Sequence, residues 1–335
     1  MIEEISTPVK PCPCCGQWAE YRYSAFPLDY CLDKSFAIYK CTNCGHGTTG
    51  NIDQRDLEFI YEDGAYDPNE KAWHKILRPI LNNLEVSKVD YLKRNVQKGN
   101  TLLEIGTGKG NFLLSAIKAG YDGYGVEPSS RSFEIAKSKL GNRVYQCTLE
   151  EIYLNSELNR EYDFIFLWHV LEHLDDPENA VRKLKAFLKH GGLLIAGVPN
   201  FDSYQSQFGK SDWYHLDPPR HLSHFTPRSA RFFFEKNALD VTKVFYNSFF
   251  QNLLGDIITL NNMILTHKNI LLNVLRFNKF YFRKTHVVNR AFNLIAFIVI
   301  SLIMIIPTLA FTYFSQWQKK SGTMVIMARK SSGGI

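Results

Sequence analysis

The chain has 335 residues, of which 45% are hydrophobic and 21% charged. That content supplies a full apolar core and excludes a disordered chain, so we expect one main domain with smaller additions. The chain opens without a cationic stretch followed by an apolar core and a cleavage site, and we therefore expect no signal peptide. Seven cysteines, four of them in two closely spaced pairs, favour reduced thiols and bound metal over disulfides.

The net charge of +6 is unevenly distributed. No Asp or Glu follows Asp256, whereas ten of the 39 basic residues do. The chain up to and including Asp256 therefore carries 29 basic and 33 acidic residues. The basic character therefore belongs to the C-terminal part of the chain.

Residues 1–50 carry two Cys-x-x-Cys pairs, each followed by glycine, in the settings CPCCG and CTNCGH. Two such knuckles aim four thiolates at one ion and predict a small zinc-ribbon-like module with a structural Zn²⁺. Cys14 is an alternative to Cys12 as a ligand, and Cys31 and His46 are spare. The predicted metal ligands are Cys12, Cys15, Cys41 and Cys44.

Residues 51–99 read as a polar, helical lid or linker, with helices at 56–61 and 73–92. The aromatic residues at 61–66 are either part of a segment that closes over a bound ligand or ordinary core and surface side chains. The sequence leaves these two readings open.

The centre of the chain is the stretch LLEIGTGKGNF at 102–112, a buried strand, a glycine-rich turn and the start of a helix. Glycines at alternate positions, Gly106, Gly108 and Gly110, let backbone N–H groups approach a bound nucleotide. A second strand ends in Glu127, which is placed to accept both hydroxyl protons of a ribose. The glycine spacing differs from a dinucleotide-binding turn, in which the third glycine comes one residue later.

Further strands and helices alternate along residues 100–200, as in a doubly wound domain. Asp176 and Pro177 predict a helix start, and the pair at 191–192 predicts its end. Residues 201–235 predict a loop rich in Trp, Tyr, His and Pro, followed by a helix that starts at Thr226. The predicted strands are 101–105, 123–126, 144–147, 164–167, 193–198, 239–246 and 323–328.

The pattern E-x-G-T-G-x-G, with an acid ending the second strand, resembles class I S-adenosylmethionine-dependent methyltransferases. The resemblance covers about 100–247 and 323–330. It implies an α/β fold: a doubly wound, Rossmann-like sheet of seven strands, the last antiparallel, which here joins the zinc module and a helical C-terminal insert. It also implies S-adenosylmethionine as cofactor. The residues implied to bind it are Glu104, Gly106, Thr107, Gly108, Gly110, Glu127, Pro128, Thr148, Leu149 and Trp168.

The segments HVLEHLDDP, VPN and DPPRHLSHFT, together with the cysteine knuckles, resemble bacterial polysaccharide- or sugar-modifying methyltransferases. This implies O-methylation of a sugar hydroxyl on a glycan or lipid-linked glycan. Each histidine could instead fix loop geometry, Arg220 could brace the loop through Asp217, and Trp213 and Tyr214 could be core. The candidate catalytic residues are His169, His221 and His173. The candidate substrate residues are Arg220, Trp213, Tyr214, Asn200 and His224.

About 75 residues, 248–322, separate the last two predicted strands, and 291–311 are uncharged and apolar. If both strands join one sheet, the insert crosses a membrane an even number of times or not at all, and 249–275 is too polar for a second span. We therefore expect helices in the membrane interface, the apolar one broken at Pro307, with Arg276, Lys279, Arg283 and Lys284 at anionic head groups. The alternatives are a hairpin buried against protein or in a homodimer, and a true hairpin span.

Three other functions remain open. An apolar acceptor such as a quinone or phenol would also explain the insert. Zinc knuckles and basic residues serve RNA-directed enzymes as well, but the position after the fourth strand lacks the Asn/Asp-Pro-Pro-aromatic motif of base-amino methyltransferases, so no nucleic-acid partner is favoured. A scaffold without activity is disfavoured by the intact glycines and Glu127. We expect a cytoplasmic protein at the inner face of the membrane, with a small-molecule or lipid-linked acceptor.

Overall fold

The computed structural model describes residues 10–62, 88–93 and 99–331. Its contacts divide the chain into two compact units. The cysteine-bearing unit takes the described residues within Met1–Ile76, Pro199–Phe232 and Phe249–Met324. The parallel-sheet unit takes those within Leu77–Val198, Phe233–Ser248 and Val325–Ile335.

The described residues form strands and helices as follows. The strands are β1 Lys10–Pro11, β2 Trp18–Ala25, β3 Phe36–Cys41, β4 Gly47–Gly50, β5 Thr101–Ile105, β6 Asp122–Val126, β7 Val144–Tyr145, β8 Tyr162–Trp168, β9 Leu188–Pro199, β10 Ser223–His224, β11 Leu239–Phe245 and β12 Thr323–Lys330. The α-helices are α1 Gln54–Glu62, α2 Asn111–Lys118, α3 Ser130–Leu140, α4 Pro177–Ala186, α5 Tyr204–Gly209, α6 Pro227–Lys236, α7 Phe249–Ile264, α8 Ile270–Leu275, α9 Lys279–Lys284 and α10 Val287–Trp317. Residues 88–93 are also helical.

The seven-stranded sheet has the order β11-β12-β9-β8-β5-β6-β7. Strands β5 to β9 pair in parallel, and β12 runs antiparallel to β11. Apolar side chains from β5, β8 and β9 pack against α2 and α3 in one buried cluster that includes Leu102, Phe112 and Phe166. The predicted fold class, with its last strand antiparallel, is confirmed.

The predicted end of the helix before β9 is wrong, and β7 ends at Tyr145, two residues before its predicted end. Helix α4 ends at Ala186, and Gly191 and Gly192 lie inside β9 instead of ending the helix. The β8–β9 register shifts between Tyr162 and Phe164, and a Cβ on Gly192 would lie 2.9 Å from the Lys189 carbonyl oxygen. The glycine pair therefore serves an irregularity in the strand pairing.

The cysteine-bearing unit contains a five-stranded sheet with the order β1-β2-β3-β4-β10. Strand β10 comes from the segment predicted as a loop and pairs antiparallel with β4, Ser223 opposite Thr48. The same segment holds α5, and α6 begins with Pro227 after a Thr226 cap whose Oγ1 accepts the Ser229 N–H at 3.1 Å. The predicted helix start at Thr226 is confirmed.

The insert forms four helices, α7 to α10. Pro307 lies inside α10, and the 31-residue helix runs through it without interruption. The predicted break at Pro307 is therefore wrong. Proline removes one backbone hydrogen bond, and Thr308 and Thr312, just beyond it, are buried on the helix. That packing holds the helix together across the defect. The predicted helix at 56–61 is confirmed within α1, whereas most of the predicted helix at 73–92 and of the aromatic stretch at 61–66 lies outside the described residues.

Candidate active site

The glycine-rich turn leaves the carboxyl end of β5, at the centre of the parallel sheet. The Gly106 and Thr107 N–H groups both donate to the Val126 carbonyl at the end of β6, at 2.9 and 3.0 Å. Thr107 is buried, and its hydroxyl lies 3.2 Å from the same carbonyl oxygen. The turn is thereby fixed between the first two strands of the nucleotide-binding half of the sheet.

The three glycines of the turn have different neighbours. A Cβ on Gly106 would lie 2.5 Å from Val170, and one on Gly110 would lie 2.6 Å from Leu140 and 3.2 Å from Ala136. A Cβ on Gly108 would meet no atom within 4 Å among the described residues, and its φ is +55°. Gly106 and Gly110 are thus required by packing within the unit, whereas Gly108 presents its backbone to open space where a ligand fits.

Glu127 follows β6 and is only 8% exposed. Its Oε2 accepts the Gly108 N–H at 2.7 Å and its Oε1 accepts the Ser129 N–H at 3.0 Å. Burial raises the pKa of this carboxyl, and the two backbone hydrogen bonds oppose the rise. A carboxylate offers about four lone-pair sites, so two remain for hydroxyl donors. Glu127 therefore both ties down the turn and fits a ribose, and only the second role was predicted from the sequence.

The other predicted cofactor residues lie in the same unit. Glu104 is buried in β5, and Pro128 is exposed beside Glu127. The Thr148 N–H donates to Glu151 at 2.8 Å, and Leu149 is buried after β7. The residues assigned to the cofactor in the sequence thus surround the carboxyl ends of β5, β6 and β7, and they fit an adenosyl group.

Trp168 ends β8 and is held on two sides. Its ring lies nearly parallel to Phe166, with centroids 5.8 Å apart, and a Cβ on Gly197 would lie 2.5 Å from the indole. The Lys88 ammonium lies 5.0 Å from the indole centroid. Packing therefore fixes the plane of this ring at the edge where the predicted donor and acceptor would meet.

His169 is the next residue and has a φ of +53°, which non-glycine residues seldom adopt. Its Nδ1 lies 2.8 Å from Glu172 Oε1, and the glutamate is buried. Burial and the Lys88 charge lower the pKa of His169 to about 3, so the imidazole is neutral at pH 7. With Nδ1–H donated to Glu172, the Nε2 atom carries the lone pair that accepts a proton. His173 lies one turn further, half-buried, in a short 3₁₀ helix.

Sequence reasoning missed two residues of this unit, Glu172 and Tyr91. Glu172 orients His169, and the i, i+3 spacing within HVLEH was a usable signal. Tyr91, in the helical segment 88–93, lies 6.4 Å from the Trp168 ring, and its hydroxyl donates to Asn247 at 2.8 Å. No local pattern pairs residues so distant in sequence.

The predicted substrate residues and His221 lie in the cysteine-bearing unit. Their packing favours the alternatives given above, in which they belong to the core or fix the loop. Trp213 is fully buried, and its indole N–H donates to Gln205 at 3.3 Å. The Arg220 guanidinium is buried and paired with Asp217 at 3.0 Å and with Asp29. Trp213 is therefore a core residue, and Arg220 braces the loop.

The remaining members of that set are also held internally. Asn200 is fully buried, and its side chain donates to the Ser321 carbonyl at 3.0 Å. His224 Nε2 lies 2.9 Å from the Thr49 hydroxyl, and His221 Nδ1 lies 2.8 Å from the His215 carbonyl oxygen. Tyr214 is half-buried.

The four predicted metal ligands come together in the cysteine-bearing unit. Their sulfur atoms all lie within 4.8 Å of one another, with 3.6 Å between Cys12 and Cys44 and 3.5 Å between Cys15 and Cys41. Zinc–sulfur bonds of about 2.3 Å in a tetrahedron place sulfur atoms about 3.8 Å apart. Cys14 lies outside this group of four, with its sulfur 3.6 Å from the Ser229 carbonyl oxygen. The geometry of the four sulfurs fits a closed tetrahedral site.

The family comparison agrees with this geometry. The family model described as "Methyltransferase domain" matches residues 76–244, half of the chain. An uncharacterized methyltransferase of Anoxybacillus flavithermus is 32% identical over 167 residues, which are 47% of this chain and 75% of the relative. A ubiquinone biosynthesis O-methyltransferase of Actinobacillus pleuropneumoniae is 29% identical over 163 residues, 45% of this chain and 66% of the relative.

Among solved structures, a Thermotoga maritima protein described as an S-adenosylmethionine-dependent methyltransferase, possible histamine N-methyltransferase, is 18% identical with a TM-score of 0.46. The match covers 81% of this chain and all of that one. The family model, which matches half of the chain, shows that the chain belongs to the methyltransferase domain family and is an S-adenosylmethionine-dependent methyltransferase.

Proposed function

We propose that this enzyme methylates a hydroxyl oxygen on an acceptor carried by a membrane lipid, and that the acceptor is the sugar of a lipid-linked glycan. The enzyme would act as a peripheral or monotopic protein at the inner face of the membrane. The single observation that carries the proposal is that helix α10 exposes apolar side chains, whereas the side chains that it fully buries are mostly polar.

The outer face of α10 is apolar and exposed. Among the described residues it is the one helix long and apolar enough to cross a membrane, and only 11% of its most apolar window is buried. Ile306 is 75% exposed and Trp317 is 76% exposed. A soluble monomer seldom exposes a continuous apolar face of this length.

The fully buried side chains of α10 are mostly polar, although half-buried Leu294 and Ile300 also pack inward around Phe297. Its buried residues are Asn293, Phe297, Thr308, Thr312 and Ser315. The Asp256 side chain of α7 accepts the Thr312 hydroxyl at 2.6 Å, and the Asn261 side chain donates to Ser301 at 3.2 Å. Small and polar residues inside, with apolar residues outside, are typical of helices surrounded by lipid. This arrangement supports a membrane environment over a water-facing one.

Basic residues gather just before α10. Arg276, Lys279, Arg283 and Lys284 are exposed, and Lys284 also lies 2.6 Å from Asp33. Each such charge near an anionic membrane contributes about 1 kcal/mol. We infer that they contact head groups while α10 lies in the interface or dips below it.

Membrane binding should depend on the exposed face of α10. We expect the Ile303→Glu/Ile306→Glu variant to bind anionic vesicles at least about 10-fold more weakly in flotation, because a carboxylate within the bilayer costs up to about 3 kcal/mol. Leu154→Glu, which changes an exposed leucine of the other unit, is the control and should float like the parent chain. Equal flotation of all three proteins would refute the membrane proposal. Binding that raised salt abolishes entirely would instead assign it to the basic residues alone.

The chemistry required of the protein is proton removal and alignment. When bound, S-adenosylmethionine supplies a methyl group on a positively charged sulfur. The Gly108 backbone and the Glu127 carboxylate would hold that cofactor, and Trp168 would limit water access beside it. His169 Nε2 would take the acceptor's hydroxyl proton as the methyl carbon passes to the acceptor oxygen and the carbon–sulfur bond breaks, which leaves the donor sulfur as a neutral thioether. Glu172 would orient the imidazole and stabilise its protonated form against the burial that lowers the His169 pKa.

Replacing the proposed base should slow turnover without loss of fold. His169→Asn suits the test, because asparagine tolerates a positive φ. We expect a rate about 10²- to 10⁴-fold lower, with donor binding unchanged by calorimetry. His190→Asn, an exposed histidine in β9, is the control. If His169→Asn transfers labelled methyl groups to membrane lipid at the parent rate, His169 is not the base.

A quinone- or phenol-like acceptor is the second candidate, favoured by the relatives named as ubiquinone biosynthesis O-methyltransferases. Membranes incubated with enzyme and methyl-labelled donor should yield label in the lipid extract. Mild acid, which cleaves glycosyl phosphates, would release the label into water for a lipid-linked sugar and leave it in solvent for a quinol. Label confined to RNA or protein would contradict both.

We also propose that Cys12, Cys15, Cys41 and Cys44 hold a structural zinc ion. The proposal is supported by the converging sulfurs and by the Cys44 N–H, which donates to Cys41 Sγ at 3.5 Å. Four sulfur ligands leave no open coordination position, so the ion would stabilise the five-stranded sheet and take no part in methyl transfer.

A further inference from the structure

A cavity of about 290 Å³ opens between α7 and α10, within the cysteine-bearing unit. This is near the lower end of the range for small-molecule sites, and it is too small for a helix of another protein. Most of its wall is apolar. The lining residues are Gln205, Phe208, Asp256, Thr259, Leu260, Met263, Met304, Pro307, Thr308 and Phe311.

Asp256 is the charged residue of this lining, and only 6% of it is exposed. Its Oδ2 accepts a hydrogen bond from the Thr312 hydroxyl and thereby links α7 to α10. Its Oδ1 is buried, and no described residue forms a hydrogen bond with it, although the Gln205 amide lies close enough to the carboxyl to lower its pKa. Burial raises the pKa of Asp256 to about 6, against the opposing effects of Thr312 and Gln205. A buried acceptor oxygen without a donor raises the free energy of the folded protein, and a ligand that supplies a donor would remove this cost.

The rim of the cavity joins the exposed apolar face of α10. Phe208 and Met263 line the cavity and are themselves about half exposed, and Ile303 and Ile306 lie on α10 beside its lining residues Met304 and Pro307. A hydrocarbon chain could therefore pass from lipid into the cavity without crossing a polar surface.

We propose that this cavity binds one chain of a long-chain alcohol, aliphatic or isoprenoid, whose hydroxyl donates to Asp256 Oδ1. The apolar wall selects hydrocarbon, the volume admits a single chain, and the buried oxygen selects a chain that carries a donor. The inference rests on the proposed membrane association for delivery of the ligand, and it is independent of the methyl acceptor and of the base.

The test uses the full chain in lipid nanodiscs with a dodecanol that carries a photoreactive diazirine near its tail. We expect cross-links on peptides with Met263 or Met304, and unlabelled 1-dodecanol should compete about 10-fold better than dodecane. Met304→Trp, which fills the cavity, should reduce these cross-links several-fold. Ile303→Trp, the same enlargement on the exposed neighbouring position, is the control and should leave them unchanged.

Asp256→Leu should keep cross-linking but remove the preference for dodecanol over dodecane. If that variant does not fold, the inference is still tested by the competition in the parent chain and by the comparison of Met304→Trp with Ile303→Trp. Equal competition by alcohol and alkane, equal effects of both tryptophans, or cross-links spread along α10 would overturn the inference. If the protein gives one of these results but still floats with vesicles, membrane binding stands and the alcohol site is refuted.

Discussion

Gly108→Val is expected to abolish S-adenosylmethionine binding while leaving the parallel-sheet unit folded. Gly108 has a φ of +55°, and a Cβ there would project into space that no described residue fills. A valine would occupy the space into which the cofactor's methionine part is proposed to fit, and it would also strain the turn whose N–H is held by Glu127 at 2.7 Å. We expect affinity for the donor and for its demethylated product to fall by at least about 100-fold, measured by calorimetry, because blocking a close backbone approach removes several contacts together.

Backbone strain alone must be separated from a blocked site. Gly141, at the end of α3, has a φ of +59° and likewise no atom within 4 Å of an added Cβ among the described residues. Gly141→Val therefore imposes the strain of a positive φ at a position given no role in binding, and it should retain donor binding with a loss of thermal stability. Normal donor binding by Gly108→Val, or an equal loss in both variants, would contradict the assignment of the turn.

The parts of the fold that follow from local pattern were predicted well. Strand β5, Thr101–Ile105, has its predicted bounds, because a short apolar run ended by glycine has few alternatives. Glu127 was predicted to bind a ribose because an acid at the end of the second strand can accept its hydroxyl protons, and that role stays a prediction. Its contact with the Gly108 N–H was not predicted. The antiparallel last pair was predicted from the resemblance, and the register Val241 opposite Ala328 agrees with it.

The errors arise where a local rule competes with distant packing. Gly191 and Gly192 have the composition of a helix end, yet the pairing of β9 with β8 determines their conformation. Pro307 predicts a break, but the helix contacts α7 on both sides of it, through Ser301 before the proline and Thr312 after it.

The candidate substrate residues show the same limit. Arg220 pairs with Asp29 across 191 positions, so no motif could reveal that its charge is already compensated. Aromatic and basic residues in a loop indicate binding only when their side chains stay accessible. Trp213 and Arg220 are buried instead, and the polarity of α10 becomes a better guide to the acceptor than the loop composition.

Cys44→Ser is expected to remove the metal and unfold the cysteine-bearing sheet. The four sulfurs lie within 4.8 Å of one another, and β3 and β4 flank the knuckle that contains Cys41 and Cys44. Structural zinc contributes about 10–16 kcal/mol in isolated zinc-finger peptides. The free energy lost with one thiolate should therefore exceed the stabilisation that a core this small supplies. The variant should lack stoichiometric zinc by elemental analysis and unfold at a much lower temperature.

Cys14→Ser is the matched control, because Cys14 is buried in the same knuckle and its thiol faces the Ser229 carbonyl instead of the cluster. It should keep one zinc per chain and nearly the parent melting temperature, which also resolves whether Cys12 or Cys14 is the ligand. A chelator should reproduce the Cys44→Ser phenotype in the parent chain, since removing the ion and removing a ligand break the same tetrahedron. If Cys44→Ser instead retains zinc while Cys14→Ser loses it, the cluster has been assigned to the wrong sulfurs. If the parent chain purified with zinc present contains none, the four thiols are held together by packing alone.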